Sequence, residues 1–567
     1  MSTISKQKMR PPFTARATEL LHKPWVEIVL LLVLTLVFWM NFSANFNRKV
    51  DMNGDNIYYF ALGQALADGK GYVNTIGFTE TPHTHFPPGY PAYIAVLQHV
   101  VPDNQLFVKR MDGVLLYLAV VLLFFLLKRM TGSVIIPFCA CLLTSVQVDV
   151  LRFGSMMMSE PLFTFCSIAL LYLAVLLHEA DLFDYRKWWN YVLLFAFLCL
   201  VAYIQFVRTI ALALILSLLL WLFVETIVAA VSWLKQHDSI ARRRCLQFGL
   251  LLVLVLLTWG VPKKLWDERN VSVGKTGMAY QAQFMQKSGG GTMATFDDWM
   301  SRIGTNVHRH IVGYVPQAVF RTDWSVEKPT MAGDWALGLL LVALMLLGVA
   351  YTRKGGLLMF FYVGATMAVL AFYAEAYSTE RYFIAIIPLF FFLFLNGVAC
   401  AVHLLGRTFK LENTALWQSA VVLLITLFVA PVQVEAQTDN RKMAKMKSYQ
   451  ALGRSPFNDY LRTAKWCGDN LPDTARVFCR KPEVFYMHSD YHHAEMIPIT
   501  GTPDSVITVL ERRQAEYIII DSWFGHAYRT IYPTVLAYPQ RFELVHQEGM
   551  YDERYHTYPT FVVRFRY

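Results

Sequence analysis

Charged side chains are scarce in this sequence, and their scarcity limits the class of protein that it encodes. Asp, Glu, Lys and Arg make up 16% of the 567 residues, whereas hydrophobic residues make up 55% and the mean hydropathy is +0.37. A soluble globular chain usually carries about 25% charged residues. The composition therefore indicates a protein that crosses a membrane several times.

Sequence signatures of several binding and enzyme classes are also missing. The eight cysteines form no CxxC motif or Cys/His cluster of the kind that holds structural zinc. The glycines at 289–291 are not followed by Lys and Ser/Thr, so they do not form a nucleotide-binding loop. No internal repeat typical of secondary transporters is visible. Neither a zinc site nor nucleotide binding is predicted.

The net charge of +10 does not indicate a nucleic-acid partner, because much of the excess Lys and Arg flanks apolar segments. A membrane-spanning helix needs roughly 20 mostly apolar residues. About eleven stretches fit that description. They lie near 25–42, 113–127, 133–148, 160–177, 188–206, 209–232, 248–261, 335–351, 357–373, 383–404 and 415–432.

The basic residues also predict the orientation of the chain. Lys or Arg residues precede the first apolar stretch and follow each even-numbered stretch, as in "KR" at 128–129 and "RRR" at 242–244. Cytoplasmic loops are enriched in such residues. The segment 1–24 is therefore predicted to be cytoplasmic, and the first apolar stretch is read as a span because no small-residue cleavage site follows it. Loops 45–112 and 262–334 and the C-terminus are predicted to lie outside.

The C-terminal residues 436–567 have a different pattern from the rest of the chain. Short apolar stretches such as "YIIID" and "TFVVRFRY" alternate with an amphipathic stretch, "SVITVLERRQAE". This alternation predicts a small extracytoplasmic α/β domain. Asp521, at the end of one predicted strand, is interpreted as a loop cap. Cys467 and Cys479 share this domain, where an oxidising compartment would permit a bridge that their spacing does not establish.

The predicted outer loops contain the most informative polar residues. "GDNIYYFALGQALADGKGY" begins at Gly54 and predicts a short helix with Asp55 and Tyr58 on neighbouring turns. Its alanines and leucines form an apolar face suited to a membrane surface. Glu160, Arg208 and Arg381 come from separate apolar stretches at the same predicted outer level. Carboxylates and guanidinium groups there suit a base that activates an acceptor while cations hold a phosphate.

Three sequence stretches carry a resemblance to a known superfamily. "GDNIYYFALGQALADGKGY…HFPPGYP", "MMSEPLFTF" and "ERYFIAIIPLFFF" resemble the GT-C membrane glycosyltransferases. The resemblance covers approximately residues 20–435. It is closest to the branch with the protein mannosyltransferases, the lipid A aminoarabinose transferase and the RgtA/B/C/D-like enzymes. A polytopic α-helical membrane protein with about eleven spans, 25–435, and a C-terminal α/β domain is the predicted fold.

The resemblance implies a reaction and its residues. Such enzymes take a sugar from a polyprenyl-phosphate carrier at the outer face of the membrane, with inversion. An aspartate of the first outer loop is their base; by position this is Asp55, with Asp51 as the second choice. Arg208 and Arg381 are predicted to stabilise the lipid phosphate, and Glu160 to position the acceptor or an arginine.

The other predicted substrate-binding residues are Tyr58, His85 and Tyr382. His85 stands near a position where some relatives place a Lys before Pro-Pro; Phe86 occupies that position here. Asp51 and Asp55 are four residues apart and lack the DxD spacing that suits a divalent metal in oligosaccharyltransferases. His83 and His85 are interpreted as ordinary loop contacts. No metal and no cofactor are predicted.

Other functions remain open at this point. A transporter or flippase of lipid-linked glycans, a polysaccharide polymerase and a non-catalytic assembly scaffold are alternatives. The transferase would lie in the bacterial inner membrane, and its acceptor would be a glycan, a lipid or a protein. The flexible stretch Ser288 to Thr292 is expected either to cover the site or to be a surface turn.

Overall fold

The computed structural model describes the chain except for residues 1–22, 50–53, 275–284, 286, 288–291, 324, 326–327, 376–377, 448–454, 524, 552 and 554–556. The chain divides into two units. The helical unit comprises Met1–Phe46, Arg110–Ser155 and Ser159–Arg441, and the mixed unit comprises Asn47–Lys109, Met156–Met158 and Lys442–Tyr567. Both Asp51 and most of the stretch from Ser288 to Thr292 lie outside the described residues.

Long apolar helices dominate the helical unit, so the protein is a multi-pass membrane protein. Among the described residues, nine helices are long and apolar enough to cross a membrane. They are Pro24–Asn45, Gln105–Thr131, Ser159–Glu179, Trp188–Val207, Ala211–Gln236, Ser239–Ser272, Ala332–Tyr351, Ile387–Thr408 and Thr414–Glu435.

The remaining two predicted spans also fall on helices. Ile135–Val146 and Val148–Gly154 are bent by 59° at their junction and make one broken span if taken together, and Gly356–Phe372 is a shorter apolar helix. The number eleven stays a prediction.

The predicted outer loop 262–334 begins in a helix. The helix Ser239–Ser272 continues through residues 262–272, the first part of that loop. Its Lys263–Asp267 and Lys264–Glu268 pairs are one helical turn apart and favour this extension.

Glycine allows two of the long helices to approach closely. A Cβ atom added to Gly348 would lie 2.0 Å from the carbonyl oxygen of Leu393, and one added to Gly397 would lie 1.8 Å from that of Leu344. Helices Ala332–Tyr351 and Ile387–Thr408 therefore pack with their backbones nearly in contact, as is common between spans.

Shorter helical segments occupy the connections of the helical unit. Thr295 and Asp298 form a capping box that starts Phe296–His308. This helix continues into a π-helix, Arg309–Tyr314, and then into Val315–Phe320. The 3₁₀-helix Glu380–Phe383 precedes the span Ile387–Thr408, and Thr438–Lys445 follows the last span.

The mixed unit contains a five-stranded sheet. Its strands are β3 (Val477–Cys479), β4 (Ala494–Met496), β5 (Tyr517–Ile520), β6 (Phe542–Glu548) and β7 (Thr560–Phe565), and a separate pair is formed by β1 (Val73–Asn74) and β2 (Thr81–Pro82). The sheet order is β4-β3-β5-β7-β6, parallel between β4, β3 and β5 and antiparallel at β7 and β6. The helices of this unit are Gly54–Ala67, Gly89–Val100, Pro456–Asn470, Pro482–His488, Pro503–Arg512, His526–Ala537 and the 3₁₀-helix Pro539–Arg541.

Two sequence-based interpretations of the tail can be compared with this unit. Asp521 accepts a hydrogen bond from the backbone N–H of Trp523 at 3.0 Å, so it caps the loop after β5 as predicted. Cys467 and Cys479 are separate free thiols in the core, and no bridge joins them.

The first predicted outer loop shares a hydrophobic core with the C-terminal residues. Ile57, Ala61 and Ile76 pack in one cluster with Tyr460, Val484 and other buried residues of the tail. The backbone N–H of Ala494 also donates to the carbonyl of Ile76 at 3.1 Å. The expectation that the apolar face of Gly54–Ala67 lies on a membrane surface is therefore wrong, because protein covers it.

Candidate functional site

Arg208 lies at a break between two spans. Helix Trp188–Val207 ends there, because Arg208 has an extended backbone with φ −150° and ψ 144°, and the next helix begins at Ala211. Arg208 therefore belongs to neither of the two helices, and its side chain is only 9% exposed. A buried guanidinium group requires an anionic or hydrogen-bonding partner.

Glu160 is that partner. Its Oε1 atom lies 2.6 Å from Nη1 of Arg208 and also accepts a hydrogen bond from Nε of Arg381. Nη1 of Arg208 donates in addition to Oγ of Ser159 at 3.1 Å. The structure thus brings together Glu160, Arg208 and Arg381, which the sequence had placed at one level; we call these three residues the arginine–glutamate cluster.

The two carboxylate oxygens of Glu160 differ in their contacts. Oε1 receives both guanidinium groups, whereas Oε2 is buried and has no hydrogen-bond partner among the described residues. The whole side chain is 2% exposed, while that of Arg381 is 24% exposed. Two guanidinium groups therefore contact the same carboxylate oxygen, and Arg381 is the more exposed of the two.

Tyr382 belongs to the same site. The guanidinium carbon of Arg208 lies 5.3 Å from the centre of the Tyr382 ring, within the range of a cation–π contact. Tyr373 adjoins Tyr382, with ring centres 5.7 Å apart. Tyr373 was not predicted from the sequence, where it resembles any aromatic residue at the end of a span.

The connection that carries Arg381 and Tyr382 is fixed by helix Phe296–His308. Asn306, fully buried, donates to the carbonyls of Leu370, Ala371 and Tyr373 at 3.3, 3.0 and 2.8 Å. These contacts replace the helical hydrogen bonds that the last turn of Gly356–Phe372 lacks. Asn306 was not predicted from the sequence, since nothing in "GTNVH" distinguishes it from a surface asparagine.

The π-helix adds a second attachment. Nε2 of His310 lies 3.2 Å from Oγ of Ser378, and the hydroxyl of Tyr314 donates to the Ser378 carbonyl at 3.2 Å. Burial, with the neighbouring Arg309, lowers the pKa of His310 to about 4. His310 is therefore neutral near pH 7.

Asp55 lies in the mixed unit, in the first turn of helix Gly54–Ala67. A carboxylate in a first turn interacts favourably with the helix dipole. Glu483 approaches the same turn: a Cβ atom added to Gly54 would lie 2.7 Å from its Oε1 atom. Glu483 is 5% exposed and pairs with Lys481 at 3.3 Å. Glu483 was not predicted from the sequence, because it lies more than 400 residues away from Gly54 along the chain.

Tyr58, one turn further along this helix, contacts the Pro-rich part of the first loop. Burial and the carboxylate of Glu483 raise the pKa of Tyr58 to about 12, so its hydroxyl stays protonated. Its ring centre is 5.9 Å from that of Phe86, and the Phe86 ring is 4.7 Å from that of His85. His85 itself is exposed.

His83 has a structural role in this loop. Its Nε2 atom accepts a hydrogen bond from the backbone N–H of Phe86 at 3.0 Å, and its ring stacks on Phe86. Phe86 also contacts Tyr59, with ring centres 4.9 Å apart. Within the described part of the chain, no group of three or more His, Cys, Asp or Glu side chains is arranged to hold a metal ion.

Comparisons with known proteins identify the fold. No protein-family model matches the chain, and no curated protein matches it either. Solved structures do match over almost its whole length, and they are polytopic membrane glycosyltransferases of the GT-C superfamily. The chain has the GT-C fold, as the sequence resemblance predicted.

Two of these structures show the extent of the similarity. ArnT from Cupriavidus metallidurans, bound to undecaprenyl phosphate, is 12% identical, with 95% of this chain and 98% of that chain covered and a TM-score of 0.55. The archaeal oligosaccharyltransferase AglB from Archaeoglobus fulgidus, in complex with an inhibitory peptide and a dolichol-phosphate, is 12% identical, with 95% and 74% covered and a TM-score of 0.54.

Proposed function

We propose that this protein is an inverting glycosyltransferase that moves a sugar from a polyprenyl-phosphate carrier to an acceptor at the outer face of the bacterial inner membrane. The observation that carries the proposal is the pairing of two arginines, from separate parts of the helical unit, with one buried glutamate. The solved ArnT and AglB structures with bound polyprenyl phosphates support a lipid-phosphate ligand for this fold.

The arginine–glutamate cluster suits a leaving phosphate. In the reaction the acceptor hydroxyl oxygen attacks the anomeric carbon, the bond from that carbon to the phosphate oxygen breaks, and the bonding electrons leave with the lipid phosphate. Guanidinium groups stabilise the charge that develops on that oxygen. Arg381, the more exposed of the two, contacts the phosphate, while Glu160 holds both arginines in place.

Asp55 takes the proton that the acceptor hydroxyl releases. Tyr58 and His85 line the acceptor side, and Tyr382 stacks against Arg208 on the donor side. Within the mixed unit, the side-chain amide of Asn56, next to Asp55, donates to the carbonyl of Met156 and so holds the first turn of the loop helix.

The C-terminal residues have a positioning role in this proposal. They form the core on which helix Gly54–Ala67 packs through Ile57 and Ala61. Glu483 then fixes the first turn, where Gly54 leaves the space that the carboxylate needs. The tail thereby holds the backbone that carries Asp55.

A transporter of lipid-linked glycans is the second candidate. Such a protein places its polar residues near the middle of the membrane, in interrupted helices. Here Glu160 is in the first turn of its helix, and Arg381 lies in a 3₁₀-helix before a span. Arg208 alone lies at a helix break between two spans. The positions of Glu160 and Arg381 favour the enzyme.

The experiment is a transfer assay with the full-length protein in native membranes. The candidate donor comes from a deletion strain, as the carrier-linked sugar that accumulates there. Release of polyprenyl phosphate that depends on the protein and on an acceptor is the expected result. Movement of the intact lipid-linked sugar across the membrane, without release of polyprenyl phosphate, would instead establish the transporter.

A further inference from the structure

A cavity of about 560 Å³, lined by both polar and apolar side chains, opens at the other end of the helical unit. It is formed where helices Gln105–Thr131, Ala332–Tyr351 and Thr414–Glu435 end or begin, and the buried Asn396 lies at its wall. Its volume is within the range of small-molecule sites, roughly 300 to 1,000 Å³. None of the residues assigned to sugar transfer lines it.

The distance from the arginine–glutamate cluster follows from helix geometry. Glu160 is in the first turn of Ser159–Glu179, and Glu179 is its last residue. Nineteen residues of α-helix at 1.5 Å each separate them by about 29 Å. Glu179 pairs with Arg129 and with Lys354, the immediate neighbour of Arg353 at the cavity. The cavity therefore faces the membrane leaflet opposite to the cluster.

Positive charge is in excess at this end of the unit. Lys128 pairs with Glu27, and Arg129 and Lys354 share Glu179. Arg353, which lines the cavity, has no ion-pair partner among the described residues. These groups comprise four cations and two carboxylates, so a site next to Arg353 attracts an anion.

The shape of the cavity around Arg353 favours a hydrogen-bonding anion. Gly132 has φ +70°, and a Cβ atom added there would lie 2.8 Å from Nη1 of Arg353. Because residue 132 is a glycine, the guanidinium group of Arg353 fits beside the turn that follows helix Gln105–Thr131. Tyr351 accepts a hydrogen bond from Gln418 at 2.8 Å, which leaves its own O–H as a donor beside Arg353.

We propose that this cavity binds the phosphate headgroup of an acidic phospholipid. Arg353 pairs with the phosphate, and Tyr351 and Ser133 donate hydrogen bonds to the headgroup. A lipid is the source because this end of the unit exposes apolar side chains: Trp417, between the cavity-lining Leu416 and Gln418, is 53% exposed, and Leu405, near the end of helix Ile387–Thr408, is 56% exposed. Tryptophan is enriched at that depth of a bilayer, and exposed leucines provide a surface for acyl chains.

The test measures lipid retention by the full-length protein in nanodiscs of phosphatidylglycerol and phosphatidylcholine. After detergent extraction, native mass spectrometry gives the lipids still bound. Wild type and the control Arg407→Ala, a basic residue in the last turn of Ile387–Thr408 that does not line the cavity, are expected to retain phosphatidylglycerol. Arg353→Ala is expected to bind it about tenfold more weakly, and Arg353→Lys to bind at an intermediate level.

Three results would overturn the proposal. One is equal retention of phosphatidylglycerol by wild type and Arg353→Ala, and another is equal retention of the two lipids by wild type. The third is a rise in melting temperature of delipidated wild type with inorganic phosphate but not with short-chain phosphatidylglycerol, which would identify a free anion as the ligand. None of these readouts requires sugar transfer, so the lipid site and the proposed enzyme fail independently.

Discussion

Oε1 of Glu160 lies 2.6 Å from Nη1 of Arg208 and accepts a second hydrogen bond from Nε of Arg381. One carboxylate oxygen thus holds two guanidinium groups that are 173 residues apart along the chain. Removal of one partner from a buried ion pair costs about 3 to 5 kcal/mol, since the other charge is left uncompensated. Substitutions of Glu160 and of Arg381 test this pairing.

Glu160→Gln is expected to weaken the interactions with Arg208 and Arg381, because it removes the negative charge while keeping the volume of the side chain. The free energy of unfolding should fall by about 3 kcal/mol, and the KM for the donor should rise. The melting temperature of the purified protein and donor kinetics measure the two effects. Unchanged stability and unchanged kinetics in this variant would contradict the ion-pair geometry.

Arg381→Ala is expected to impair donor use more than protein stability, because Arg381 is partly exposed. A lost charge-assisted hydrogen bond to phosphate is worth about 1.5 to 3 kcal/mol, which corresponds to a rise in donor KM of about 10- to 150-fold. The acceptor KM should change little. Arg309→Ala is a matched control, since Arg309 pairs with Glu375 in the same region. A selective change in acceptor KM would argue against the phosphate role.

Gly54→Ala is expected to push Glu483 away from the first turn of the loop helix, because the new Cβ atom would meet its Oε1 at 2.7 Å. Both the melting temperature and kcat should fall. Glu483→Ala creates the missing space, so the double variant Gly54→Ala/Glu483→Ala should lose less than the sum of the single variants. Strict additivity would show that the two positions are not coupled. Gly69→Ala, with nothing near its added Cβ but with φ +74°, reports the effect of backbone strain alone.

His310 is expected to make stability pH-dependent. Its pKa is about 4 in the folded protein against about 6.5 when unfolded, so the unfolded chain binds the extra proton first. Its contribution is complete above pH 6.5 and is lost as the pH falls towards 4, on the order of 3 kcal/mol. Urea unfolding at several pH values measures this slope. His488, with a pKa of about 4, acts in the same direction. His310→Gln should therefore flatten the curve only in part, and an unaltered slope would contradict the buried, neutral His310.

The sequence predicted the spans and their polar ends more accurately than it predicted tertiary packing. The length of an apolar stretch is enough to locate a membrane-spanning helix. An isolated arginine between two apolar stretches marks a break between two helices, as at Arg208. The apolar face of Gly54–Ala67 was expected to lie on the membrane. That expectation was wrong because amphipathic periodicity shows that a face is covered but does not show what covers it. In the structure that cover comes from residues such as Val484 and Phe485 in the C-terminal part of the chain.

Asn306 and Glu483 illustrate why the rest of the site was not predicted. Both act through contacts with residues distant in sequence: Asn306 with the backbone at 370–373, and Glu483 with Gly54. A single asparagine or glutamate gives no local pattern that would reveal such a contact. Arg208 and Glu160 were found because charge at the end of a span is itself unusual.

Asp55→Asn tests the central claim most directly. The substitution replaces one carboxylate oxygen with an amide nitrogen, so the protein should fold and bind the donor normally while losing the base that accepts the acceptor proton. The measurement is the rate of sugar transfer by full-length Asp55→Asn in membranes supplied with the polyprenyl-phosphate sugar, with wild type and Asp68→Asn as controls. The account predicts a loss of at least about 100-fold in kcat for Asp55→Asn alone. Transfer at the wild-type rate by this variant would contradict it.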